Sequence, residues 1–71
     1  MTIGDMCSII DNVTVFNEDL CVFRSSSEDV FIILRKRSYY DAGRQTPRTY
    51  LYVVSPTKHG WIEEEFVRCV R

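Results

Sequence analysis

Short clusters of β-branched and aromatic residues, broken every few positions by turn formers, constrain this chain more than anything else in it. The clusters are Met6 to Ile10, Val13 to Phe16, Leu20 to Phe23, Val30 to Leu34, Thr49 to Val54, Trp61-Ile62 and Phe66 to Val70. Their length and composition are those of strands. Between them lie Asp11-Asn12, Asn17-Glu18-Asp19, Asp41-Ala42-Gly43, Pro47 and Ser55-Pro56-Thr57-Lys58-His59-Gly60, residues suited to the φ values of chain reversals. The polar run Ser25-Ser26-Ser27-Glu28-Asp29 reads as a loop. No apolar 3.6-residue period persists long enough for an amphipathic helix, and only Glu63-Glu64-Glu65-Phe66 looks helical, for a single turn. The expected class is all-β.

At 71 residues the chain is one domain, residues 1–71. A domain of this size buries roughly 60% of its unfolded surface, enough for one thin core but not for a sizeable enclosed cavity. Five or six short strands leave exposed edges unless the sheet closes on itself, which predicts a small barrel.

Nine Lys and Arg against ten Asp and Glu give a formal charge of −1, so no global field draws the protein toward nucleic acid or membrane. The longest apolar run, Val30 to Leu34, is far short of the roughly 20 residues of a membrane span, and the N-terminus carries no basic-then-apolar signal. No membrane partner and a cytoplasmic location are expected. Cys7, Cys21 and Cys69 form an odd set without a CxxC spacing, which argues against a secreted disulfide framework and a zinc ribbon and predicts reduced thiols in or near the core.

The charge is segregated. Between residues 35 and 48, Arg35, Lys36, Arg37, Arg44 and Arg48 face one acid, Asp41, for a local +4; four basic and nine acidic residues elsewhere give −5. A hairpin over Val30 to Val54 with Tyr40 opposite Arg48 sets Lys36 against Tyr52 and Ser38 against Tyr50. Alternation then puts Lys36, Tyr40, Arg48, Tyr50 and Tyr52 on one side. Arg35 and Arg37 fall on the side of Ile33, Leu51 and Val53, either beyond the core at the hairpin tip or because the true register slips by one residue, which swaps the faces. A basic, aromatic face suits phosphate contacts with base stacking, or an acidic protein surface. It also suits plain coverage of a half-exposed sheet by Arg–Tyr pairs.

Glu63, Glu64 and Glu65 form the acidic counterpart, a second candidate patch that is either a docking site for a basic partner or a solvated turn. Trp61 and Phe66 beside it are expected to plug the core of so small a domain. Head-to-tail pairing of the acidic turn with the basic hairpin of a second copy would give homo-oligomers.

Enzyme chemistry has little foothold. The one histidine, His59, sits in an expected turn, and a dyad with Cys7 or Cys69 would need a cleft that joins them. One histidine also argues against a His-rich metal site. The glycines Gly4, Gly43 and Gly60 lie singly, so there is no phosphate-cradling loop, and no cofactor is inferred.

The opening Gly4-Asp5-Met6-Cys7-Ser8-Ile9-Ile10 resembles the first strand of many small SH3-like and KOW-like barrels. The ending Gly60-Trp61-Ile62-Glu63-Glu64-Glu65-Phe66-Val67-Arg68-Cys69-Val70 is similar to the SH3 ending: a strand after a tight turn, one turn of 3₁₀ helix and a last short strand. The resemblance implies an SH3-like barrel of five or six strands with a 3₁₀ turn near the C-terminus, and small proteins of this kind are typical of bacteriophage and other mobile elements. Glu63 and Phe66 stand where the peptide-binding members carry their ligand-gripping Pro and Tyr, so recognition of proline-rich peptides is not expected. The fold hosts many unrelated functions. The expected function is a non-enzymatic module for protein–protein interaction. Nucleic-acid binding through the hairpin 35–52 and a structural, self-assembling role are the alternatives.

Overall fold

The computed structural model describes residues 2–16 and 22–70. It contains seven strands: β1 (Met6–Ile9), β2 (Thr14–Phe16), β3 (Val22–Arg24), β4 (Phe31–Asp41), β5 (Thr46–Val54), β6 (His59–Glu63) and β7 (Val67–Cys69). A single 3₁₀ turn, Glu64–Phe66, joins the last two. All pairings are antiparallel, in the order β3-β2-β6-β5-β4-β1-β7. The all-β class and the 3₁₀ turn agree with expectation. Two expectations need correction: there are seven strands, not five or six, and the sheet curls into a half-barrel with β3 and β7 as its edges. Each of the seven β-branched and aromatic clusters carries a strand of its own, β2 and β3 among them at only three residues each.

Residues alternate across the sheet as its pleat requires. The inner side carries the core, made of Cys7, Ile9, Val15, Phe31, Ile33, Leu51, Val53, Ile62 and Val67, with Val13, Phe23 and Phe66 packed against it. Gly60 also points inward, and it must be small. A Cβ there would lie 2.5 Å from the Phe16 carbonyl oxygen and 2.7 Å from Val15 Cγ1, because β2 crosses β6 closely at that point.

The turns use the residues that tolerate them. Asn12, between β1 and β2, takes φ 62°, a left-handed conformation in which Asn is several-fold enriched. In the β4–β5 turn the Asp41 carboxylate accepts the backbone N–H of Gly43 at 3.0 Å and of Arg44 at 3.3 Å, and the positive φ falls on Gln45. Pro47, expected in this turn, lies within β5 opposite Tyr40. It is tolerated because β6 reaches only to Tyr50, so that stretch of β5 has β4 as its one sheet neighbour.

Among the described residues, Ser25 is the one buried polar side chain. Its hydroxyl accepts the Val13 N–H at 2.9 Å and donates to the Ile10 carbonyl, while its own N–H donates to the Val13 carbonyl at 2.9 Å. One side chain from the Ser-rich loop thus satisfies the backbone where the chain leaves β1 for β2.

The β4–β5 register differs from the expected one. Arg35 opposes Tyr52, Arg37 opposes Tyr50, Ser38 opposes Thr49, Tyr39 opposes Arg48, and Lys36 opposes Leu51. The cause is a bulge: pairing runs regularly to Ile33–Val53 and resumes at Arg35–Tyr52, leaving Leu34 as the extra residue. Without it the alternation that buries Phe31 and Ile33 would carry Arg35 and Arg37 inward too. With it they turn outward. Lys36 and Tyr40, expected beside Tyr50 and Tyr52, lie on the other face of the hairpin.

Candidate functional site

Three rows of side chains cross the outer face of the sheet. The first is Arg35–Tyr52–Trp61–Phe16, one residue from each of β4, β5, β6 and β2. The second is Arg37–Tyr50–Glu63, and the third is Tyr39–Arg48. Each row follows from direct cross-strand partners, whose Cβ atoms are close enough for rings and guanidinium groups to touch.

The rows are also tied diagonally. The Tyr52 and Trp61 ring centroids are 5.2 Å apart, and Tyr39 stacks on Tyr50 at 5.7 Å with only 6° between the planes. The Arg35 guanidinium lies 5.9 Å above Tyr52 and that of Arg37 lies 5.4 Å above Trp61. Such pairs are attractive because a cation meets the negative face of the ring. His59 extends the first row's margin: the Tyr52 hydroxyl and His59 Nδ1 are 2.7 Å apart. Phe16 and Tyr39 are about half exposed.

Arg48 is the pinned member. Its Nη1 donates to Glu63 Oε1 at 2.9 Å, its Nε lies 3.6 Å from Asp41 Oδ2, and the Tyr50 hydroxyl donates to the same Glu63 oxygen at 3.2 Å. Partial desolvation works to lower the Arg48 pKa, but the Glu63 carboxylate and Tyr50 outweigh it and the net shift is upward. The Tyr50 phenol is pushed up by its hydrogen bond with Tyr39, then by burial and by the Glu63 charge. Among the described residues, Arg35 and Arg37 have no carboxylate partner.

Arg44 sits in the exposed hairpin turn, away from the rows. The three glutamates are dispersed: Glu63 joins the outer face, Glu64 turns to the other side with its Oε2 3.5 Å from Lys36 Nζ, and Glu65 is exposed. The basic hairpin and the acidic turn therefore meet within one chain. A cleft of about 470 Å³ lies between them, lined by Arg44, Thr46, Pro47, Arg48, Thr49 and the three glutamates. Two arginines against three glutamates make it unsuited to anions.

Trp61 was expected in the core and is instead half-buried on the outer face. Its neighbours Gly60 and Ile62 take the inward positions of β6, and strict alternation from Ile62 was the signal that could have found this. Sequence reasoning also missed Phe16 and Tyr39. Phe66 does pack against the core. No family model, curated protein or solved structure matches this chain.

His59 and Cys7 are not brought together. His59 is exposed on β6, Cys7 is buried on β1, and β5 and β4 intervene. Among the described residues no group of three or more His, Cys, Asp or Glu side chains could hold a metal, and no helix is long and apolar enough to cross a membrane. Cys21 lies outside the described residues.

Proposed function

We propose that this protein is a non-enzymatic binding module that docks a protein partner on its outer face, with Arg35, Arg37, Tyr39, Tyr52, Trp61 and Phe16 as the contact residues. The observation that carries this reading is the row Arg35–Tyr52–Trp61–Phe16, four large side chains aligned across four strands of a sheet. Trp, Tyr and Arg are the residues that dominate binding energy at protein interfaces. Here they are fixed by mutual stacking before any partner arrives, so little side-chain freedom remains to be lost on association. The partner that fits is a surface with an apolar centre and acidic groups set to meet Arg35 and Arg37.

Nucleic-acid binding is the second reading, favoured by the local +4 between residues 35 and 48. Salt separates the two. Phosphate contacts release counterions, so that affinity falls steeply as salt rises, whereas aromatic docking persists at moderate salt. The test is recovery of partners on the tagged protein with and without nuclease, alongside Arg35→Glu/Arg37→Glu and Trp61→Ala variants. A protein partner that survives nuclease and is lost in both variants supports the module. Nucleic acid recovered only without nuclease, or a partner indifferent to both variants, overturns it. A concentration-dependent mass with no partner present would point to self-assembly instead.

The half-barrel is further proposed to be SH3-like, on the strength of its Gly4-Asp5 opening and its Gly60-Trp61-Ile62 ending, with the 3₁₀ turn and last strand that follow. A mobile-element accessory role and a cytoplasmic location belong to the same reading.

A further inference from the structure

Cys7 and Cys69 are direct partners in the ladder between β1 and β7, and the hydrogen bonds around them decide what kind of partners they are. The Val70 N–H donates to the Met6 carbonyl at 3.1 Å, and the Ile10 N–H donates to the Phe66 carbonyl at 3.0 Å. Bonded and non-bonded pairs alternate along an antiparallel ladder. With Met6–Val70 and Ile10–Phe66 bonded, Cys7–Cys69 and Ile9–Val67 are the non-bonded pairs, the closer kind, with Cα atoms about 4.5 Å apart. A disulfide spans Cα separations of roughly 4.4–6.8 Å.

Opposed residues also share a side of the sheet. Ile9 and Val67, the next non-bonded pair, are both buried, so the shared side is the core side. Cys7 is fully buried there, and Cys69 is exposed where the core runs out at the sheet edge. Both are free thiols. β7 is three residues long and has β1 as its one sheet neighbour, so a covalent bond at this point would fasten an edge strand that little else holds.

We propose that Cys7 and Cys69 form a reversible thiol–disulfide pair, closed by low-molecular-weight disulfides such as oxidised glutathione. The exposed Cys69 thiolate attacks one sulfur of the oxidant. The oxidant's S–S bond breaks, a mixed disulfide forms on Cys69, and one equivalent of the small thiolate leaves and takes a proton from water. Cys7 then loses its proton to solvent and attacks the Cys69 sulfur, expelling the second small thiol. Two cysteine thiols are oxidised and one oxidant molecule is reduced to two thiols. Burial, the largest cause of the upward shift of the Cys7 thiol, persists in the mixed disulfide, which makes the second step the slow one and accelerates it as pH rises.

The test uses the unmodified chain. Cleavage after Glu18, Glu28 and Glu65 separates Cys7, Cys21 and Cys69 onto different peptides, so each linkage can be read by mass spectrometry after exposure to oxidised glutathione. The expected product has lost two hydrogens and joins the Cys7 and Cys69 peptides, after a glutathione adduct that appears first on Cys69. A Cys69→Ser chain should leave Cys7 unmodified while folded. In guanidinium chloride the register is lost, and the effective concentration of one thiol at the other should fall by at least about tenfold. An adduct on Cys69 that never closes, linkage only between two chains, or equal closure in denaturant would overturn the proposal.

Discussion

Arg48 and Glu63 join β5 to β6 through a 2.9 Å hydrogen bond between guanidinium and carboxylate, and both side chains are more than three-quarters covered. Asp41 and Tyr50 extend the pair into a small network, Asp41 beside the guanidinium and the Tyr50 hydroxyl donating to the carboxylate. That separates it from ordinary surface ion pairs, whose contribution is often unmeasurable. Either single change, Arg48→Met or Glu63→Gln, should lower the urea midpoint. The double variant should lose no more than the worse single, the signature of coupled residues in a double-mutant cycle. Additive losses would mean that the two act independently.

Gly60→Ala should be severe. The added methyl has no room between the Phe16 carbonyl and Val15, both held by the β2–β6 crossing, and overpacking at such a site costs about 1–3 kcal/mol. Gly43→Ala is the matched control. Its new Cβ would meet only the Asp41 carboxylate at 3.4 Å, and the change should fall within about 0.5 kcal/mol of wild type by denaturant unfolding.

Ser25→Ala removes one hydroxyl and strands two backbone groups, the Val13 N–H and the Ile10 carbonyl. Each loses a partner in a part-buried site, so about 1–3 kcal/mol of stability should be lost. Ser26→Ala, in the same loop, should cost little. Chemical denaturation of the two variants side by side checks the difference.

Alkaline pH should destabilise the fold through Cys7. Its thiol is raised from 9.0 in the unfolded reference to about 11 when folded, because burial disfavours the thiolate. The native state therefore holds its proton longer than the unfolded chain does. The stability tied to that proton is complete below about pH 9 and is lost as pH rises toward about 11. The loss should approach about 2–3 kcal/mol. Urea midpoints taken under reducing conditions across this range should fall more steeply for wild type than for Cys7→Ala. Parallel curves would contradict the assignment.

What could be read from the sequence was local. Turn formers at Asp11-Asn12 and Ser55-Pro56-Thr57 lie between strands as expected, and the 3₁₀ turn at Glu64–Phe66 follows from a short acidic run with no apolar periodicity. What could not be read depends on partners distant in the chain. Leu34 looks like any strand residue, and only its pairing with β5 makes it a bulge. That single extra residue decides whether Arg35 and Arg37 face the core or the solvent. The habit of large aromatics in small cores points Trp61 inward, but Ile62 already fills the inward position and Gly60 must stay bare for β2 to pass. The basic and aromatic residue types of the outer face were visible in the sequence. Their grouping into rows was not, because Phe16 and Trp61 arrive from strands on the far side of β5.

The β4–β5 hairpin outruns the rest of the sheet. From Ser38 to Asp41 and from Thr46 to Thr49 it is a two-stranded ribbon, with no core residue and no third strand beside it among the described residues. Two-stranded ribbons are marginal in isolation; this one is held by the Tyr39–Arg48 pair, the Ser38–Thr49 hydroxyl pair at 3.0 Å and the Asp41-capped turn, and Arg48 ties its base to Glu63 of β6. The molecule is thus two units of unequal strength, a seven-stranded base built round the core and an arm whose tip can fray and re-form while that core stays intact.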